Sequence, residues 1–68
     1  MNELTIHLDA GSRIPMYEQL YGYIRQDIRQ GRLAAGERLP ASRALSRYLA
    51  VSRSTVELAY EQLLSEGY

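Results

Sequence analysis

Ser42-Arg43-Ala44-Leu45-Ser46-Arg47-Tyr48-Leu49-Ala50, followed directly by Val51-Ser52-Arg53-Ser54-Thr55-Val56, is the stretch that decides the fold. The spacing predicts a short helix over about Ser42 to Ala50. Leu45, Tyr48 and Leu49 share its inner face, and Arg43 and Arg47, four apart, project together from the opposite one. Val51-Ser52 breaks that helix. Ser52 is a good N-cap, because its hydroxyl can accept from the backbone N–H of Ser54 or Thr55. A further helix is expected over about Arg53 to Glu66, closed by Gly67. Val56, Ala59, Tyr60, Leu63 and Leu64 form its buried stripe, and Arg53, Ser54 and Thr55 occupy an exposed first turn. Leu58 points away from that stripe, toward solvent or a partner.

Upstream, Pro15 opens a helix where its missing N–H costs little. Tyr17, Leu20, Tyr21, Ile24 and Ile28 recur at helical spacing, with Glu18, Arg25 and Arg29 on the other side, and Gly31 ends the run. This helix covers about Met16 to Gln30. Its tyrosines fit a core, and a base-stacking platform is the alternative. Gly36 and Pro40 bracket a connector from Leu33 to Pro40 whose inward anchors are Leu33 and Leu39. Before Pro15, Leu4, Ile6 and Leu8 alternate with polar neighbours in a short strand pattern that stops at Asp9-Ala10-Gly11. His7 lies on the polar side of it. The reading is one mainly all-α domain over residues 15–68, preceded by a short extended segment over 1–14.

Composition narrows the function. A chain of 68 residues buries only about 60% of its unfolded surface, so its core is marginal. It has no cysteine and one histidine, which excludes a disulfide framework and a zinc finger. No apolar run approaches the roughly 20 residues that span a bilayer, and Met1-Asn2-Glu3 does not read as the start of a signal peptide. A cytoplasmic location is expected. An enzyme is disfavoured: no histidine-based dyad, glycine-rich phosphate loop or metal constellation is present. Glu57 and Glu61 share a helix face, where solvated acids are the plain reading. Eight basic and eight acidic residues cancel, which taken alone argues against a nucleic-acid partner. Their order argues otherwise. From Arg38 to Thr55 there are four arginines and no acid; from Val56 to Tyr68 there are three acids and no base. Such segregation is expected when one face meets an anion and another does not.

Two helices joined by a turn of about three residues, with another helix behind them, form a helix-turn-helix. In that arrangement the amino-terminal turn of the second helix faces base edges in the major groove, and the first crosses the backbone. The residues suit those places. Arg53 can donate two bonds to O6 and N7 of guanine. Ser54 and Thr55 can bond bases or phosphates, and the Thr55 methyl can meet a thymine methyl. The free N–H groups around Ser52 favour a phosphate nearby. Arg43 and Arg47 are placed to hold the phosphate backbone, although the same pair fits an ordinary solvated face. A second class of function is a helical protein-interaction or dimerisation module, supported by the zero net charge and by Leu58.

Pro15-Met16-Tyr17-Glu18-Gln19-Leu20, Gly31-Arg32-Leu33, Gly36, Arg38-Leu39-Pro40, Ser42-Arg43, Leu45, Val51 to Val56 and Glu66-Gly67-Tyr68 together resemble the GntR family of bacterial repressors. Ala59-Tyr60-Glu61-Gln62-Leu63 and Thr5-Ile6-His7-Leu8-Asp9 resemble its MocR (PdxR-like) branch. The resemblance implies a winged helix-turn-helix that binds double-stranded operator DNA. It implies DNA contacts at Arg43 and at Ser52, Arg53, Ser54 and Thr55, and a homodimer in the full-length protein. It also implies a two-stranded wing, which would begin where this chain stops at Tyr68, so the domain is expected to be truncated at or before the wing. No cofactor is expected in these residues. In MocR-type proteins pyridoxal phosphate belongs to a large aminotransferase-like domain further on. Two positions depart from the family pattern. Ala41 stands where a capping serine is usual, so Ser42 is expected to cap instead. Glu57 stands where many relatives are basic; it can accept from cytosine N4 but would repel phosphate.

Overall fold

The computed structural model describes residues 6–33 and 39–68. Leu4 and Thr5 of the alternating segment, and Gly36 and Arg38 of the connector, lie outside the described residues. Among the described residues three helices carry the fold: α1 (Met16–Arg29), α2 (Ser42–Leu49) and α3 (Arg53–Ser65). α3 packs against both α1 and α2. The described residues contain helices and turns but no strand.

Each helix ends by the same device. After α1, the Gly31 N–H donates to Ile28 O (3.1 Å) and the Arg32 N–H to Asp27 O (2.9 Å). After α3, Gly67 donates to Leu64 O and Tyr68 to Leu63 O, both at 3.1 Å. These are Schellman pairs, in which a left-handed residue turns the chain back over the last carbonyls. Gly31 and Gly67 have φ of 79° and 87°, where the lack of a Cβ removes the steric cost. After α2 the left-handed residue is Ala50, at φ 57°. Val51 N–H then reaches Ser46 O at 3.0 Å. The abrupt return of the chain at Ala50 is what sets α3 against α2.

Leu20 and Ile24 of α1, Leu33, Leu45 of α2, and Val56, Ala59 and Leu63 of α3 make one buried cluster. Ile6, Leu8, Tyr21, Ile28, Leu39, Leu49, Val51, Tyr60 and Tyr68 pack around it, half-buried. Burying each larger aliphatic side chain contributes about 1.5–3 kcal/mol. The α1 stripe is therefore core, with Leu20 and Ile24 at its centre, and Leu33 and Leu39 anchor the connector. Ile6 and Leu8 turn inward and His7 outward, as their alternation predicts. They do so without a strand partner. The segment is held instead by the Gln19 side chain, which accepts from the Asp9 N–H (2.8 Å) and donates to Asp9 O (3.0 Å) and Ile14 O (2.7 Å).

Two residues assigned to buried stripes are exposed: Tyr48 at 66% and Leu64 at 72%. On α2 the arc facing α3 is centred on Leu49, between Leu45 and Ser46. Tyr48 lies about 100° from Leu49 around the helix and so outside that arc. Ser46, small and buried, fills the place beside Leu45 and satisfies its hydroxyl on Arg43 O at 2.9 Å. Leu64 follows Leu63 by about 100°, beyond the strip that α1 covers near the end of α3. Ser42 does not cap α2. Ala41 occupies the cap position without a side-chain bond, and Ser42 is the first helical residue.

Candidate nucleic-acid interface

The amino end of α3 is built by Ser52. Its backbone is extended (φ −70°, ψ 153°), and its Oγ accepts from the Thr55 N–H at 3.2 Å. The same Oγ lies 3.0 Å from Ser54 Oγ and 2.9 Å from Thr55 Oγ1. Three hydroxyls thus share one small network over the first turn. Ser52, Arg53 and Ser54 are exposed. Thr55 is half-buried, which corrects the expectation of a fully exposed first turn. It lies one turn before Ala59 and about 40° from it around the helix, and Ala59 is fully buried, so part of Thr55 follows Ala59 inward.

Arg43 and Arg47 are both exposed on α2. The start of α2 and the start of α3 are joined through Glu57. Its Oε2 stands 3.6 Å from Arg53 Nη2 and accepts from Ser42 Oγ at 3.5 Å. Tyr60 makes a second tie between these elements by donating its hydroxyl to Pro40 O at 2.7 Å. Burial pushes the Tyr60 phenol up to about 12, so it remains a donor through the neutral range. On the opposite side of α3, Tyr21 of α1 donates to the Glu66 carboxylate, and Arg25 donates to the Tyr21 hydroxyl at 3.0 Å. Arg29 donates to the Tyr68 hydroxyl at 3.2 Å. That network locks α1 to the end of α3 and leaves the beginning of α3 clear.

Sequence reasoning placed the first-turn side chains but missed three residues that hold them: Ala50, Tyr60 through its hydroxyl, and Glu57 as a bridge. The four-residue spacing of Arg53 and Glu57 is a signal that could have found the third. Among the described residues, no group of three or more His, Cys, Asp or Glu side chains could hold a metal ion. No helix there is long and apolar enough to cross a membrane.

Residues 16–68 match the family model described as bacterial regulatory proteins, gntR family. Over 66 residues, 97% of the chain, it is 50% identical to the uncharacterized HTH-type transcriptional regulator YhdI of Bacillus subtilis (strain 168). It is 46% identical over 61 residues, 90% of the chain, to the probable rhizopine catabolism regulatory protein MocR of Rhizobium meliloti. The chain spans 14% of the first of these relatives and 12% of the second. Among solved structures it superposes on YtrA from Sulfolobus acidocaldarius, a GntR-family transcription factor, with a TM-score of 0.87 at 38% identity. That match covers 93% of this chain and 67% of YtrA. The likeness to the MocR branch seen in the sequence is matched by these relatives. With three helices among the described residues and the exposed, capped start of α3, the chain belongs to the GntR family of bacterial regulatory proteins, of which it carries the helix-turn-helix domain.

Proposed function

We propose that this chain recognises operator DNA by laying the amino end of α3 in the major groove, as part of a bacterial transcription regulator that acts without catalysis of its own. The observation that carries the reading is the exposed pair Arg53 and Ser54 directly after the Ser52 cap, unobstructed by α1. Arg53 reads guanine through O6 and N7. Ser54 bonds a base or a phosphate, and the exposed part of Thr55 offers its methyl to thymine. Ser52 caps α3 and leaves the remaining free N–H groups for a phosphate. Arg43 and Arg47 neutralise phosphates and set register.

A homodimer on paired half-sites and a cytoplasmic location complete the proposal, since two-fold operators mirror two-fold proteins. The chain's eight basic residues are all arginine. Without a lysine it offers pyridoxal phosphate no Schiff-base partner, so these residues do not fit that cofactor. In a MocR-type regulator it would be held by residues outside these 68.

The test is a fluorescence titration of the chain with duplexes selected from a random-sequence pool, repeated over a range of salt. Affinity should fall log-linearly with salt, with a slope of about −0.9 per phosphate neutralised. Absence of binding even at low salt would sink the reading. Exposed Tyr48, Leu58 and Leu64 support a second role, contact with another protein surface. That contact would respond weakly to salt.

A further inference from the structure

We propose that Glu57 is a positioning residue for Arg53, and through it a determinant of sequence specificity; this rests on the DNA-binding reading above. Arg53 is the first residue of α3 and Glu57 lies one turn further in. One oxygen of the Glu57 carboxylate, Oε2, lies 3.6 Å from Nη2 of the guanidinium and 3.5 Å from the Ser42 hydroxyl of α2. It therefore lies between two elements, within reach of both. Both charged side chains are about half exposed, at 53% and 52%, so the pair adds little to stability. Its effect is on where the guanidinium goes.

An unanchored arginine on DNA finds phosphates as readily as bases, because they are the nearest opposite charges. Nη2 carries two N–H groups. With one turned to Glu57, the other and an N–H of Nη1 still form the fork that matches O6 and N7 of guanine. The carboxylate also repels phosphates, which lowers sequence-independent affinity. Weakening the wrong complex raises specificity as surely as strengthening the right one. Glu57 thus holds Arg53 over the groove floor and holds the backbone off.

The experiment compares the full chain with Glu57→Gln and Glu57→Asp. Each protein is titrated against the best duplex selected by the parent chain, against that duplex with its Arg53-dependent guanine replaced, and against sheared genomic DNA. All three should melt alike, since Glu57 is exposed. Glu57→Gln should bind genomic DNA more tightly and discriminate the guanine about tenfold less. Glu57→Asp keeps the charge but shortens the reach by a methylene. It should lose discrimination as Gln does while keeping weak binding to genomic DNA. Undiminished discrimination in both variants would overturn the proposal and leave Glu57 a solvated charge. Failure of the parent chain itself to hold any selected duplex at low salt would overturn the DNA reading, and this inference with it.

Discussion

Arg53 and Arg43 are both exposed arginines near a helix start, yet their positions assign them different work. Arg53 opens α3 and faces base edges in the proposed complex, so Arg53→Ala should cost roughly 1–3 kcal/mol of binding and relax preference at a single base pair. Arg43 lies on α2, which crosses the backbone. Arg43→Ala should weaken all sequences about equally and reduce the salt slope by about one. Competition binding against every single-base-pair variant of a selected duplex separates the two, and the reverse pattern would exchange the roles. Ala50 poses a different problem at the same scale. An L-residue in the left-handed region carries a strain of about 1–2 kcal/mol, and Ala50 bears it at φ 57° because the chain must turn there. Glycine would relieve the strain while adding about 0.5–1 kcal/mol of chain entropy to be lost on folding. Ala50→Gly should therefore be neutral to stabilising by up to about 1 kcal/mol, raising Tm by up to about 4–8 °C in a domain of this size. Ala50→Val should lower it, because a β-branched residue fits that region worst. A thermal melt of each variant decides the matter; a lower Tm for the glycine variant would mean that the turn is not strained.

Among the elements, α3 depends most on its first turn. Ser52 satisfies the Thr55 N–H and gathers two further hydroxyls. Ser52→Ala should cost about 1 kcal/mol of stability, within the 0.5–2 range of lost caps. It should also fray the reading turn, so that DNA affinity falls further than the loss in stability accounts for. Urea unfolding and duplex titration of the same variant give the two numbers, and equal losses would make Ser52 a cap alone. Much of this element structure was legible in the sequence because periodicity and end signals agreed. Pro15 and Gly31 bracket α1, and Ser52 and Gly67 bracket α3. The end of α2 was marked only by the Val51-Ser52 break and not by a glycine, since Ala50 does the work usually given to glycine. Tyr48 and Leu64 were misplaced for one reason: apolarity and rough helical spacing do not say how wide an arc the neighbouring helix covers. The extended segment was read correctly for the faces of Ile6, His7 and Leu8, but the alternation named no partner for it. Its hydrogen bonds go to the Gln19 side chain, a contact ten residues away that no repeat pattern encodes. Of the proposed contact residues, Arg43, Arg47, Arg53 and Ser54 were foreseen as exposed and are, Ser52 was foreseen as a cap and caps α3, and Thr55 is half-buried instead of exposed.

In the molecule as a whole, several polar ties hold α3 to its neighbours, and two of them titrate at opposite ends of the pH scale. At one end, the Tyr21 hydroxyl and then the Gln62 amide hold the Glu66 carboxyl below the ordinary carboxylate range. Its folded value lies under its unfolded one, so the unfolded chain binds the extra proton. The stabilisation is complete above the ordinary range and is lost as pH falls through the lower folded value. At the other end, burial raises the Tyr60 phenol to about 12 in the folded chain, against about 10 when unfolded. That contribution is whole below pH about 10 and is lost as pH climbs toward about 12, because ionisation favours the unfolded chain. The Tyr21 phenol is also raised, by its bond to Glu66 first and by burial second, and adds to the alkaline loss in the same sense. Melting temperature should thus form a plateau at neutral pH that falls on both sides. Tyr60→Phe should lower the plateau by removing the bond to Pro40, yet flatten the alkaline fall. Tyr21→Phe should flatten the acid fall and part of the alkaline one. Thermal melts of the three proteins across pH test this directly. If the parent and Tyr60→Phe fall in parallel above pH about 10, the tie between α3 and the entry to α2 does not depend on a protonated Tyr60, and the geometry of the α3 start must be held by packing and by the Glu57–Ser42 contact.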